Sequence, residues 1–324
     1  MGAYVGPDAV PGYTPYAAPP PPNPATRFDV IAELPMERYL PGVLAGELYA
    51  GWSFETYCAQ AIAARSYAMH ERARARLRGR AYDLEASTID QAYVGEEAPK
   101  RARDAVDATR GLILTTAEGR LLRAYYSSTC GGRAASAAAI WPATGTFLFN
   151  AAAPLQALPP GAGGWAEGDC GCQTAPLYRW EVRRSARDLS RRIRAWGQTA
   201  LHPIRRLKTV TAIEVETTNP MGRPNRFTLT DSAGKAYSLT SDELRVASNT
   251  RVAKLSTPSL RQRAKSNDLA CEITGDRVDI SGRGFGHGVG MCQFGAEGLS
   301  KRGWTWNQIL ERSYPGAQLE RAYE

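Results

Sequence analysis

The sequence predicts a mixed α+β fold, and three observations carry that prediction. Early in the chain, apolar residues recur at helical spacing at Tyr39, Leu40, Val43, Leu44 and Leu48. Later, residues 207–218 and 225–239 alternate as strands do, joined by the turn-rich stretch Asn219 to Asn225. A strand at 277–281 then feeds a loop with glycines at 282, 284, 286, 288 and 290. At 324 residues and 43% hydrophobic content the chain can build a real core. No run of 18 apolar residues is present, so no membrane-spanning helix is expected.

Residues 1–27 hold a cluster of prolines, Pro19 to Pro22 among them, and read as a disordered arm outside any core. Residues 28–324 read as one domain with an irregular insertion at 142–177. Its first element is a short strand at 28–34. A helix follows through Leu48, with Pro41 expected to kink or restart it. After a turn at Ala50-Gly51, Ser53 caps a second helix that places Glu55 in its first turn and runs to Gly79. Residues 84–94 look extended. A charged helix at 98–110 turns Ala105 and Val106 inward and stops at Gly111. Residues 112–129 read as a hairpin about Glu118-Gly119, leading into the adjacent glycines Gly131 and Gly132, which would let backbone approach a ligand. Residues 178–196 start extended and become helical, with Leu189, Ile193 and Trp196 on one side. Helices from about 291 and over 305–316 close the chain.

The net charge is +8, concentrated in arginine-rich stretches at 71–80 and 183–196. These suit an anionic polymer, either nucleic acid or a carboxylate-bearing cell-wall glycan, and equally a solvated helix face. No known nucleic-acid motif is present, so a nucleic-acid partner is not expected. Glu47 is the acidic residue between Leu44 and Leu48. A carboxyl kept among apolar neighbours has its pKa raised, as a general acid working near neutrality requires. The cysteines are Cys58, Cys130, Cys170, Cys172, Cys271 and Cys292, and their spacing selects no pairing. Cys130, Cys170 and Cys172 are a candidate metal set. Thiolates suit zinc, a closed site wants four ligands, and His202 is the candidate fourth. A disulfide from Cys130 to Cys170 or Cys172 fits as well. The glycine-rich loop lacks the Gly-Lys-Ser/Thr of a phosphate loop. Its His287 either faces a ligand or is bonded to the loop backbone.

Several ordered motifs resemble the SpoIID/LytB family, named for sporulation stage II protein D and an amidase enhancer. The stretches LPMERYLPGVLAGE and TYCAQAIAARSYA match its opening pattern, with mild departures at Pro41 and Ser66. Gln91, Tyr93 and Gly95 fit its Gln-x-Tyr-x-Gly element, and Glu243 to Arg245 its Glu-Leu-Arg element. Tyr126, Ser128, Gly131 and Gly132 fit its Tyr-x-Ser-x-x-Gly-Gly motif. GRGFGHGVGMCQFGA, the most specific match, resembles its closing signature.

The resemblance implies a two-lobed unit whose central cleft holds Glu47 between helices and the glycine-rich loop. It implies a lytic transglycosylase acting on peptidoglycan glycan strands, peptide-stripped ones among them, with Glu47 as the single catalytic acid and no cofactor needed for catalysis. The other function it allows is non-catalytic enhancement of a cell-wall amidase partner. Gln60, Arg65, Ser66, Tyr126, Ser128, Gly131, Gly132, His287 and Gln293 become substrate-binding candidates, Arg65 for a substrate carboxylate and His287 as a donor to substrate or an orienter of Glu47. Some family members carry zinc-binding Cys and His residues near the Ser-x-x-Gly-Gly motif. Here Arg133 replaces the His found after the two glycines in some relatives, and a structural zinc is left as an expectation. An exported protein is also expected, its export signal absent from this sequence.

Overall fold

The computed structural model describes residues 30–87, 90–161, 166, 169–253, 255 and 257–324. The proline-rich arm and the first residues of the strand expected at 28–34 lie outside these. In chain order the first elements are helices α1 (Met36–Glu47), α2 (Phe54–Leu77) and α3 (Lys100–Ala108), strands β1 (Leu112–Thr115) and β2 (Tyr126–Ser127), and the short helix α4 (Ala137–Ile140). Then come β3 (Arg179–Ser185), α5 (Ala186–Thr199), β4 (Val210–Thr218), β5 (Pro224–Asp231), β6 (Ala236–Thr240) and α6 (Ser241–Asn249). The chain closes with β7 (Leu269–Thr274), β8 (Arg277–Arg283), β9 (Met291–Cys292), α7 (Gln293–Ser300), α8 (Trp306–Ser313) and β10 (Gln318–Arg321). The class is mixed α+β, with helices and several small sheets. No helix among the described residues is long and apolar enough to cross a membrane.

The chain forms two compact units, one of residues up to Tyr125 together with Ser300–Glu324, the other of Tyr126–Leu299. In the first, α2 is the centre. Every residue from Thr56 to Ala68 is buried. A helix buried on all sides is one enclosed by its neighbours, and small residues at Ala59, Ala61, Ala63 and Ala64 let them come close. Glu55 reaches out of the first turn of α2 to accept the Trp306 N–H at 2.7 Å, which ties α8 to it. Pro41 does not interrupt α1. It lies in the second turn, so its missing N–H forgoes only a bond to the first-turn residue Glu37.

Three expected elements differ. Residues 30–34 form no strand, and Val30 is 90% exposed. The described part of 84–94, expected to be extended, joins no sheet; its Ala92 and Val94 N–H groups bond to α1 at Glu47 and the Gly42 carbonyl. The hairpin at 112–129 keeps its turn, where the Thr116 N–H donates to the Arg120 carbonyl at 2.8 Å. Its second arm pairs only at its start, through a Thr115–Leu121 bridge and the Leu122 N–H to the Leu114 carbonyl at 2.9 Å; along its length β1 pairs antiparallel with the C-terminal β10, and β2 pairs in parallel with β9. Both true partners are distant in sequence, so no local signal carried the pairing.

In the second unit β3, β8 and β7 form one antiparallel sheet and β4, β5 and β6 another. Val182 of β3 faces Ile280 of β8, and Phe227 of β5 faces Leu239 of β6. These share one core with Leu189 and Ile193 of α5 and Leu244 of α6. The Thr240 hydroxyl and Glu243 carboxylate close a reciprocal cap at the start of α6.

Candidate functional site

Glu47 is the last residue of α1, the end where the helix dipole is negative. It is partly buried, and its Oε1 accepts the Ala92 N–H at 3.0 Å. That bond depends on how closely the segment 91–95 lies on α1. A Cβ at Gly42 would stand 2.1 Å from the Gly95 carbonyl oxygen, and one at Gly46 2.8 Å from that of Ala92. Two glycines one turn apart thus open a groove into which this backbone fits. Tyr39 of α1 stacks on Tyr93 at 5.1 Å, and its hydroxyl donates to the Gln91 side chain at 3.2 Å. Gln91, fully buried, donates in turn to the Ala64 carbonyl of α2 at 3.1 Å. The Gln-x-Tyr-x-Gly element is therefore the clamp that orients Glu47. Burial, with Asp90 and Glu47 nearby, pushes the Tyr39 phenol well above its ordinary range, so it stays a neutral hydrogen-bond donor.

Two residues of the α2 motif turn out to be structural. Arg65 is fully buried. Its guanidinium grips Glu37 through Nε and Nη2 at 2.9 and 2.8 Å and donates to the Leu112 and Val106 carbonyls at 3.0 and 3.3 Å. It is committed to joining α1, α2, α3 and β1, not to a substrate carboxylate. Burial alone would raise the Glu37 carboxyl, but the bonds from Arg65, Tyr323 and the Gly111 N–H outweigh it and hold the group below its ordinary range. Ser66 Oγ donates to the Ile62 carbonyl at 2.7 Å and accepts the Leu114 N–H at 2.8 Å, which anchors β1 on α2 and removes it from substrate binding. Gln60 is fully buried on the same helix.

The two arginine-rich stretches part ways: 71–80 is mostly exposed, whereas in 183–196 Arg184 and Arg192 are buried. Arg74 bonds Glu71, and Arg72 and Arg76 lie within 3.7 Å of Asp83. Arg192 is 3% exposed and paired with Asp188, while Arg184 is buried among the carbonyls of Ser248 and Gln262. Burial, then the neighbouring Arg192, pulls the Arg184 guanidinium down to about 10.

In the second unit the Ser-x-x-Gly-Gly motif and the closing signature meet. Thr129 and Phe285 exchange backbone hydrogen bonds at 3.3 and 2.8 Å. Gly131 has φ +67°, and a Cβ there would stand 2.6 Å from the backbone of Arg283 and Gly284. The close approach that Gly131 and Gly132 were expected to offer a ligand is, at Gly131, taken by the chain itself. The Gly288 N–H donates to Ser127 Oγ at 3.2 Å, and the Phe294 N–H to the Ser128 carbonyl at 3.0 Å. Tyr126 pairs with Met291, and Gln293, buried, opens α7. His287 is built into this loop: its Nδ1 accepts the Val289 N–H at 3.0 Å, and its ring meets Trp141 edge-on at 5.0 Å. Burial pushes the imidazole down to about 4, with the charge of Asp242 the largest influence the other way, so it is neutral near pH 7.

Arg223 is the hub of this arrangement. Fully buried, it donates to the carbonyls of Cys130, Arg133 and His287 at 3.3, 2.7 and 3.0 Å and to the Asn267 side chain. Arg133 itself forms a two-pronged pair with the buried Asp268, Nε to Oδ2 at 3.0 Å. Sequence reading missed Arg223 and Ser127, since a lone arginine in a turn and the serine beside a motif position carry no pattern of their own.

The cysteines form a cluster of four. Cys130, Cys170 and Cys172 bring their sulfurs together, with Cys130 to Cys172 at 3.7 Å and Cys170 to Cys172 at 2.9 Å. Cys292 of the closing signature completes the group. His202 is not part of it. It caps a short turn by accepting the Ile204 N–H at 3.2 Å and lies against Trp196.

The comparisons with known proteins agree with these motifs. The family model described as Stage II sporulation protein matches residues 25–116, and a domain of unknown function (DUF8618) matches 166–290. An uncharacterized protein of Brachyspira hyodysenteriae is 28% identical over 291 residues, 90% of this chain and 68% of its own. Stage II sporulation protein D of Bacillus subtilis is 25% identical over 312 residues, 90% and 76% of the two chains. The amidase enhancer of the same species is 24% identical over 302 residues, 86% of this chain and 40% of its own. These matches support assigning the chain to the SpoIID/LytB family. Glu47 and its clamp fall inside the stretch matched by the sporulation-protein model. The glycine-rich signature up to Gly290 closes the second matched stretch, and Cys292 lies two residues beyond it.

Proposed function

We propose that this protein is a peptidoglycan lytic transglycosylase with Glu47 as its one catalytic residue. The observation that carries the reading is the construction around Glu47: a partly buried carboxyl at a helix end, one oxygen fixed by the Ala92 N–H. A surface that only binds glycan has little use for a carboxyl held at that cost. In the proposed reaction Glu47 protonates the oxygen linking N-acetylmuramic acid to N-acetylglucosamine. The bond from muramyl C1 to that oxygen breaks, and C1 takes on oxocarbenium character. Glu47, now a carboxylate, removes the proton from the muramyl C6 hydroxyl. Its oxygen attacks C1 and closes a 1,6-anhydro ring. No water is consumed, and the carboxyl ends as it began. One carboxyl suffices because the nucleophile belongs to the substrate, whereas ordinary glycosidases place two.

The test is Glu47→Gln, which keeps size and hydrogen bonding but has no proton to give. The variant should fold, still bind purified glycan strands, and cleave them at least about a hundredfold more slowly. Mass spectrometry of wild-type products should show 1,6-anhydro ends. Reducing ends would make water the nucleophile, and Asp90, beside the clamp residue Gln91, would be the acid to examine. If wild type and variant are both inactive yet both stimulate a cell-wall amidase, the function lies with the amidase-enhancer relative.

A further inference from the structure

We propose that Cys130, Cys170, Cys172 and Cys292 bind one zinc ion as four thiolates, and that this ion fastens the Ser-x-x-Gly-Gly loop, the Cys170-Gly171-Cys172 turn and the closing signature to one another. The site differs from the three-cysteine set that the sequence spacing brought forward. Its fourth ligand is a cysteine inside the glycine-rich signature.

The donor set fits the metal. Structural zinc takes four ligands at about 2.3 Å in a tetrahedron, which sets neighbouring sulfurs roughly 3.8 Å apart. Cys130 and Cys172 already stand at 3.7 Å. Cys170 and Cys172, at 2.9 Å, need to part by less than a bond length. Cys292 Sγ accepts the backbone N–H groups of Cys130 at 3.3 Å and Gly295 at 3.2 Å. Donors aimed at a sulfur in this way stabilise a thiolate and orient it. The four residues are 0–4% exposed, and Tyr178, Met221, Phe294 and Ala134 pack round them.

The backbone is shaped for the cluster. The Cys170-Gly171-Cys172 turn rests directly on α7. Gly171 has φ +75°, and a Cβ on it would stand 2.8 Å from the Gly295 carbonyl oxygen. A Cβ on Gly298 would stand 1.9 Å from the Gly171 carbonyl oxygen. Only glycines at these places let the turn bring two sulfurs to Cys292, immediately before the same helix. Binding takes four thiol protons to solvent and needs no oxidant. The dianionic centre that results lies beside the buried Arg223, which donates to the Cys130 carbonyl at 3.3 Å.

The experiment uses the whole chain purified under reducing conditions from zinc-containing medium. Elemental analysis should give one zinc per chain. X-ray absorption at the zinc edge should show a shell of four sulfurs at about 2.3 Å. Cys292→Ser should hold zinc at least about tenfold more weakly in competition with a chelator, while Cys58→Ala and Cys271→Ser keep wild-type affinity. Nitrogen or oxygen in the zinc shell, or full zinc affinity in Cys292→Ser, would overturn the assignment. So would a zinc-free protein four hydrogens lighter, which would mean two disulfides. If Cys292→Ser does not fold, the absorption spectrum of the wild type still decides.

Discussion

Gly42→Ala tests whether the clamp on Glu47 rests on backbone contact. The added methyl would stand 2.1 Å from the Gly95 carbonyl oxygen and 2.5 Å from the Tyr93 ring. The ring can turn aside, but the carbonyl belongs to the chain whose next bonds hold Val94 to Gly42 and Ala92 to Glu47. Overpacking of this kind costs about 1–3 kcal/mol, occasionally more. Alanine returns about 1 kcal/mol through helix propensity. A collision with backbone belongs at the upper end, so the net loss should be about 2 kcal/mol, and the melting temperature should fall by about 4–8 °C at roughly 2–4 °C per kcal/mol. Gly46→Ala meets its nearest atom at 2.8 Å, and its loss should be nearly cancelled by the helix gain. Gly51→Ala, with nothing within 4 Å, is the control. Circular-dichroism melts give the stabilities and release of soluble glycan gives the activity. Gly42→Ala should lose activity beyond its unfolded fraction, because the Ala92 N–H moves with the displaced segment. A Gly42→Ala protein that melts and cleaves like the wild type would show that 91–95 does not hold the site as described.

Two further outcomes follow from the ionisable groups. Arg65→Ala leaves the half-buried Glu37 with only Tyr323 and the Gly111 N–H, and leaves the Leu112 and Val106 carbonyls without their Arg65 donors; it should cost about 3 kcal/mol in urea unfolding, and a stable variant with only a raised KM for glycan would restore Arg65 as a substrate ligand. His287 titrates near 4 when folded and near 6.5 when unfolded, so the unfolded chain binds the extra proton first. Its contribution is complete above about pH 6.5 and is lost as pH falls toward 4, by at most about 3 kcal/mol and less because the ring is partly exposed. His287→Gln should flatten the pH dependence of unfolding over that window; an unchanged slope would show that the imidazole is not the group responsible.

Much of the organisation was legible in the sequence, for local reasons. The helical spacing of Leu40, Val43 and Leu44 marked α1, and the alternation through Phe227 and Leu229 marked the second-unit sheet, because periodicity is imposed by the element itself. Glu47 stood out as an acid in an apolar run, and the glycine-rich signature as more glycine than a turn needs. The tertiary structure decided what depends on partners far along the chain. It gave β1 to β10 and β2 to β9, turned Arg65 and Ser66 into struts, and brought Cys292 to Cys130 across 162 residues. It also converted part of the arginine excess into internal bonds, since a charge run records only composition and not which carboxylates and carbonyls fold against it. A residue's chemistry is written in the sequence. Whether that chemistry is left for a ligand or used up by the chain is decided by packing, because a buried donor must find an acceptor wherever the fold supplies one.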